Sequence, residues 1–279
     1  MKNLNYYLNK ARKEGWAIGQ FNFSNLETLK AVIGAAKKSK SPVILGTSEG
    51  ESSFVGLKQA VALVKSYREE TGLPLFLNLD HGKSFSYIKE AIDSGYDTVH
   101  FDGSGLPLAE NIKETVKVLK YAKKFKVFVE GEVGVIGQAS ESKETLTDVA
   151  EALEFARKTG VDRLAVSIGS VHGIEKGGIN PGLNLERLAE IRKALKDIPL
   201  VLHGGSGTPE EDVRKAIRIG MAKVNINTEL RMAYTENLRA SLDEKKDENT
   251  PYKYMSKAIE AVQRIVEGKI KLFSSDNKI

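Results

Sequence analysis

One unit recurs eight times along the chain: a short apolar run, a turn, then a longer amphipathic stretch. This rhythm restricts the fold more than any other feature. The apolar runs are Ala17–Phe21, Val43–Leu45, Leu75–Leu79, Thr98–Phe101, Val127–Val129, Leu164–Ile168, Leu200–Leu202 and Lys223–Ile226. Helical periodicity fills the gaps, over Leu26–Lys38, Leu57–Glu70, Tyr87–Ser94, Leu108–Lys124, Asp148–Lys158, Leu185–Leu195, Glu210–Ile219 and Glu229–Leu242. Strands buried on both faces read as continuous apolar runs, and strict alternation with helices implies a parallel sheet. Eight βα units in roughly 240 residues predict a (β/α)8 barrel, a TIM barrel of the α/β class, which typically takes about 250. A doubly wound α/β sheet is the alternative. The expected organisation is a single barrel domain over residues 1–279 with extra C-terminal helices at about 251–273.

Two segments exceed the repeat. Residues 131–147, "GEVGVIGQASESKETLT", form a long polar connection of the kind that is either a functional lid or disordered. After Asp243 a charged stretch, "DEKKDENTP", precedes an expected helix over Tyr254–Lys271.

Histidine is scarce, with 4 in the chain, and three are followed at once by glycine: His81–Gly82, His172–Gly173 and His203–Gly204. At an average glycine usage of about 7%, that coincidence is on the order of one in a thousand. All three fall at carboxyl ends of expected strands, the face where barrel enzymes carry their chemistry. Three converging imidazoles suit zinc held by three histidines with an open position. The glycines let the chain turn sharply and other groups approach closely. His100, inside the fourth strand, reads as a packed histidine.

Carboxylates stand beside these histidines. Asp80 in "LNLDHGKS" is a candidate general acid/base, an orienting partner for a ligating histidine, or a helix cap. Asp102, Glu130 and Glu132 also sit at strand ends, placed to orient imidazoles or to supply a second cation position. After His203, the run Gly204, Gly205, Ser206 offers successive backbone N–H groups. Thr208–Pro209 with Glu211 reads as a capping box with proline in the first helical position. A glycine-rich turn before a helix N-terminus favours an anion. Asn225, Asn227 and Thr228 follow the eighth strand, and the loops after strands seven and eight are the usual barrel phosphate site. Each turn is equally readable as an ordinary helix cap.

Taken together, "GQFNFSNLETLKAV", "SPVILGTSEG", "LNLDHGKS", "FDGSGLPLAENI", "VEGEVGVIG", "VSIGSVHG", "PLVLHGGSGTPEEDVRKAI", "AKVNINTEL" and "GKIKLFSSDNKI" give the sequence a resemblance. It resembles the class II, zinc-dependent ketose-bisphosphate aldolases of the shorter type, which act on fructose 1,6-bisphosphate or tagatose 1,6-bisphosphate. The resemblance implies a lyase that reversibly cleaves such a ketose to dihydroxyacetone phosphate and glyceraldehyde 3-phosphate through a zinc-stabilised enediolate. It implies His81, His172 and His203 as zinc ligands. Asp102 and Glu132 would touch a second divalent ion, a monovalent cation or a displaced metal. It implies Asp80 as the acid/base, and Gly173, Gly204, Gly205, Ser206, Asn225, Ile226, Asn227 and Thr228 around dihydroxyacetone phosphate. Lys176 would touch phosphate and Ser48 the other half of the substrate. Two positions depart from the family pattern. Tyr252 stands where an arginine from a neighbouring subunit usually reaches the second phosphate. Glu141 is the candidate for the lid acid that exchanges the enediolate proton, displaced by about one position.

Composition narrows the rivals. With no cysteine the chain has no disulfide, thiol nucleophile or thiolate metal site. A net charge of +5 reads first as a lysine-rich solvated surface; without a basic-aromatic stripe it does not point to nucleic acid, and a mildly basic mouth would also favour an anionic small substrate. No apolar run reaches membrane-spanning length. The expectation is a cytoplasmic homodimer or homotetramer with a phosphosugar substrate and neither nucleic acid nor membrane as partner. Three rivals remain: a metal-dependent hydrolase on the same barrel, a Schiff-base aldolase with a strand-end lysine, and a non-catalytic basic binding protein.

Overall fold

A computed structural model of the chain describes residues 2–138, 146–178, 180–244 and 246–279. Its strands are β1 Ile18–Asn22, β2 Val43–Ser48, β3 Leu75–Gly82, β4 Thr98–Phe101, β5 Phe128–Val133, β6 Gly137–Gln138, β7 Arg163–Val166, β8 Val171–His172, β9 Leu200–Leu202 and β10 Met221–Ile226. Eight of them close into a parallel barrel in the order β1-β10-β9-β7-β5-β4-β3-β2, while β6 and β8 form a separate two-stranded ladder. The expected (β/α)8 architecture is therefore present, and the doubly wound sheet is excluded by closure of β1 on β10.

The helices are α1 Leu4–Glu14, α2 Leu26–Ser39, α3 Glu49–Val55, α4 Leu57–Thr71, α5 Phe85–Ser94, α6 Leu108–Phe125, α7 Val149–Thr159, α8 Leu185–Ala194, α9 Glu210–Ile219, α10 Thr228–Glu244, α11 Pro251–Tyr254 and α12 Ser256–Leu272. The C-terminal helix is built into the ring of helices: α12 packs between α2 and α10, and Phe273 accepts a backbone bond from Ala17 N–H at the start of β1. Helix α1 buries Leu4 and Leu8 with Trp16, Ile18, Phe76 and Ala222, beneath the end of the barrel opposite the histidines.

The strands are buried on both faces, but the two faces differ in chemistry. Successive strand residues point to opposite sides. Leu77, Leu79, Val99, Val129, Leu164 and Val224 face the helices in the main core. Their neighbours Gln20, Asn22, Asn78, Asp80, Thr98, His100, Glu130, Glu132, Arg163, Lys223 and Asn225 are buried polar groups, many bonded to one another across the barrel. The interior is thus a polar network where branched aliphatic layers would be ordinary.

Two local expectations are corrected. Thr208 does not cap α9: Pro209 stands at the N-cap and no side chain makes a cap bond, while the Thr208 hydroxyl donates to Gly204 O at 2.9 Å. Glu210, Glu211 and Asp212 meet the positive end of the helix dipole there. Lys223, which opens the eighth expected strand, lies instead within β10 and inside the barrel, fully buried.

Candidate active site

Strand β3 carries Asp80 and His81 to the rim, and His81 has a positive φ of 51°, rare outside glycine. His203 follows β9. Its successor Gly204 has φ 69°, and a Cβ there would lie 2.3 Å from Val171 O, so only glycine lets this turn pass the β8 segment that carries His172. Residues 81 and 203 thereby meet: His81 Nε2 lies 2.9 Å from His203 Nδ1. The outer nitrogen of each ring is tied to a carboxylate, His81 Nδ1 to Asp102 at 2.8 Å and His203 Nε2 to Glu130 at 2.8 Å. Carboxylates that bind the far side of an imidazole fix its orientation for metal ligation. The inner nitrogens are the ones left to a metal.

His172 stands close to this pair, with ring centroids 4.8 Å from His81 and 6.1 Å from His203. The ligand atoms of Asp80, His81, His100 and His203 lie within 4.8 Å of one another, as do those of His81, Asp102 and Glu132. His100 is packed, as expected, but packed inside the site. It accepts from His81 N–H at 3.2 Å, and its Nε2 is 3.1 Å from Glu132. Asp102 also takes an ion pair from Lys83, and Glu132 is nearly fully buried.

The protonation states suit a cation. Burial alone would lower the His81 pKa, but Asp80 and the bond to Asp102 overcome it and raise it to about 9. His172 is held down at about 4 by burial and by His81, and His203 is lowered by the same causes. Burial would raise Asp80, Asp102 and Glu132. The surrounding histidines, with Lys223 near Asp80 and Lys83 at Asp102, instead hold all three below the ordinary carboxylate range. Three ionised carboxylates therefore gather around His81, which keeps a second ring proton, and this donor set fits a divalent cation that displaces that proton. Binding a divalent ion at pH 7 is expected to release about one proton, and apparent affinity is expected to rise about tenfold per pH unit below pH 9. Calorimetry in buffers of different ionisation enthalpy counts the protons; a count of zero contradicts the assignment.

Beneath the histidines, Glu130 accepts from Arg163 Nε at 2.6 Å and Lys223 Nζ at 2.7 Å, and Arg163 also bonds Thr98. The two cations hold the Glu130 carboxyl well below its usual range against burial. Lys223 is committed to this pair and does not line the cavity above, unlike the nucleophile of a Schiff-base enzyme.

That cavity, of about 190 Å³, is lined by Asn22, Ser48, Asp80, His81, Gln138, His172, Gly173, His203, Gly204, Ser206, Asn225, Asn227, Thr228 and Arg231. Eleven of these were singled out from the sequence; Asn22, Gln138 and Arg231 were not. Each had a signal available: Asn22 ends β1, Gln138 lies in the lid stretch, and Arg231 is one helical turn beyond Thr228. Asp80 is clamped by amides, with Oδ2 accepting from Asn22 at 2.9 Å and Oδ1 from Asn225 at 3.1 Å.

Other expected residues stand elsewhere. Gly205 does not offer its amide to a ligand, because its N–H donates to Asn225 O at 3.1 Å. Ile226 is buried in the core. Lys176 is exposed and off the cavity wall. Glu141 lies outside the described residues, while the base of its loop is anchored where Gly137 and Gln138 pair with Val171 and His172. Tyr252 is 74% exposed and does not touch the cavity.

Comparison with known proteins agrees in kind with this geometry. The chain matches the family "Fructose-bisphosphate aldolase class-II" over residues 2–278. It is 41% identical over 278 residues to a probable fructose-bisphosphate aldolase of Bacillus subtilis, covering 97% of this chain and 96% of that one. It is 40% identical over 275 residues to the fructose-bisphosphate aldolase of Staphylococcus epidermidis, covering 96% and 95%. Among solved structures, the YdjI aldolase of Escherichia coli K12 superposes with a TM-score of 0.87 at 33% identity, covering 99% of this chain and 98% of that one. A closed barrel with paired histidines and an amide-clamped aspartate at its rim, matched end to end by these relatives, places the chain in the class-II fructose-bisphosphate aldolase family.

Proposed function

We propose that the protein is a zinc-dependent aldolase that reversibly cleaves fructose 1,6-bisphosphate to dihydroxyacetone phosphate and glyceraldehyde 3-phosphate. The observation that carries the reading is Asp80: an ionised, buried carboxylate fixed by two amides beside the converging nitrogens of His81 and His203. His81, His172 and His203 would hold the metal, oriented by Asp102 and Glu130, with Glu132 and His100 adjacent. When bound, the metal supplies Lewis acidity to the ketone and its neighbouring hydroxyl. Asp80 takes the proton of the C4 hydroxyl as the C3–C4 bond breaks and returns it in condensation. Asn22 and Asn225 keep its oxygens aimed. Gly173, Gly204, Ser206, Asn225, Asn227 and Thr228 form the wall for the dihydroxyacetone phosphate half, and Ser48 faces the other half. Glu141, Gly205, Ile226 and Lys176 enter this reading through the family resemblance.

Arg231 is the arginine among the cavity-lining residues, resting on Thr228 Oγ1 at 3.3 Å, and it would add a planar donor fork to the phosphate of the dihydroxyacetone phosphate half. The same reading takes the protein as a single domain and as a cytoplasmic homodimer or homotetramer; no helix among the described residues is long and apolar enough to cross a membrane.

The test is a cleavage assay on fructose and tagatose 1,6-bisphosphates and their 1-monophosphates. The expected result is triose formation from fructose 1,6-bisphosphate that a chelator abolishes, with no inactivation by borohydride plus substrate. Arg231→Ala is expected to raise KM about tenfold for the 1-monophosphates as well as for the bisphosphates, the loss of a charge-assisted bond. Release of inorganic phosphate without carbon–carbon cleavage would indicate the hydrolase instead.

A further inference from the structure

Glu51 lies just behind the cavity wall and binds three of its lining residues. Its Oε2 accepts from Asn22 Nδ2 at 2.9 Å and from Ser48 N–H at 2.7 Å, and its Oε1 accepts from Asn227 Nδ2 at 3.0 Å. The backbone N–H of Glu51 in turn donates to Ser48 Oγ, completing a capping box at the start of α3. A carboxylate only accepts hydrogen bonds, so the amide atom that faces it must be nitrogen. Asn22 is thereby fully committed: its nitrogen serves Glu51 and Asp80, and its oxygen accepts from Gln20 at 3.1 Å. Asn227 is not. With its nitrogen on Glu51, its Oδ1 is left buried without a partner, on a residue that lines the cavity.

We infer that Glu51 is a specificity-determining positioning residue: by holding the Asn227 nitrogen it keeps Asn227 Oδ1 as the acceptor for a substrate hydroxyl. The inference rests on the aldolase reading above. It predicts what an isosteric amide at position 51 does. Two donors, Asn22 Nδ2 and Ser48 N–H, demand oxygen at the place of Oε2. The new nitrogen must then face Asn227, whose amide turns over and brings a donor to where Oδ1 stood. A substrate hydroxyl that donates to Oδ1 would lose its acceptor and could only turn to accept from the new N–H, leaving its own proton without a partner.

The experiment compares the metal-loaded wild type with E51Q and with E51Q/N227D. The double variant restores the bond with its polarity swapped, leaves an oxygen in place of Oδ1, and keeps the net charge. Calorimetry measures the Kd for dihydroxyacetone phosphate, and kinetics separates KM from kcat on fructose 1,6-bisphosphate. E51Q is expected to weaken binding and raise KM about tenfold, the effect of one unsatisfied polar contact, with kcat changed less than KM and metal content retained. E51Q/N227D is expected to recover most of that loss, a coupling that a purely structural defect would not show. If E51Q binds and turns over like the wild type, or the double variant is no better than E51Q, the inference is overturned alone. A wild type that neither binds dihydroxyacetone phosphate nor cleaves the bisphosphate overturns the aldolase reading and this inference with it.

Discussion

His203→Ala is expected to lose the divalent cation and carbon–carbon cleavage together. The ring sits between Glu130 on one nitrogen and His81 Nε2 on the other, so no other side chain can take its place without moving the network beneath. Lewis-acid stabilisation is worth several kcal/mol, and at about 1.4 kcal/mol per decade its removal costs about 10³-fold or more in turnover. The fold should survive, because Glu130 remains paired with Arg163 and Lys223. Metal analysis and the cleavage assay on the same preparation decide the matter. A variant that keeps stoichiometric metal, or that cleaves normally, removes His203 from the role given to it.

Asp80→Ala is expected to keep the metal and lose turnover by about 10²–10⁴-fold, the usual contribution of a positioned acid/base. The result discriminates between two roles that distance alone leaves together, since an Asp80 oxygen lies within 4.8 Å of the ligand atoms of His81 and His203. Its two oxygens are occupied by Asn22 and Asn225, which suits a group held in place for proton transfer. Loss of metal on the same substitution would make Asp80 a ligand instead. Binding of dihydroxyacetone phosphate should persist, because the wall that surrounds it is formed by residues at the end of β10 and after β8, β9 and β10.

Much of this was legible in the sequence, and the reasons for the rest are physical. The expected strands Thr98–Phe101 and Leu200–Leu202 and the helix Glu210–Ile219 have the observed boundaries, because apolar periodicity reports burial directly. The polar interior was harder to see. In "LNLDHG", Asn78 and Asp80 look like interruptions of an apolar run, yet they occupy one face of β3 at a period of two. The same holds for Glu130 and Glu132 in β5 and for Lys223 and Asn225 in β10. Glu51 gave no signal beyond an ordinary cap, since its partners Asn22 and Asn227 lie 29 and 176 residues away. Thr208 misled because the helix begins one residue later, with Pro209 at its N-cap and no side-chain cap bond.

The sequence by itself determined the repeating strand–helix unit, the rim on which three histidine–glycine pairs emerge, and the aspartate beside them. These follow from short-range rules of periodicity, turn chemistry and burial. Only the closed barrel decided which nitrogens meet. His81 and His203 are 122 residues apart, and their tautomers and orientations depend on Asp102, just past β4, and on Glu130 in β5. Hydrogen-bond polarity is a property of the assembled network, so the direction in which each imidazole and amide presents its atoms is set only when every neighbour is in place.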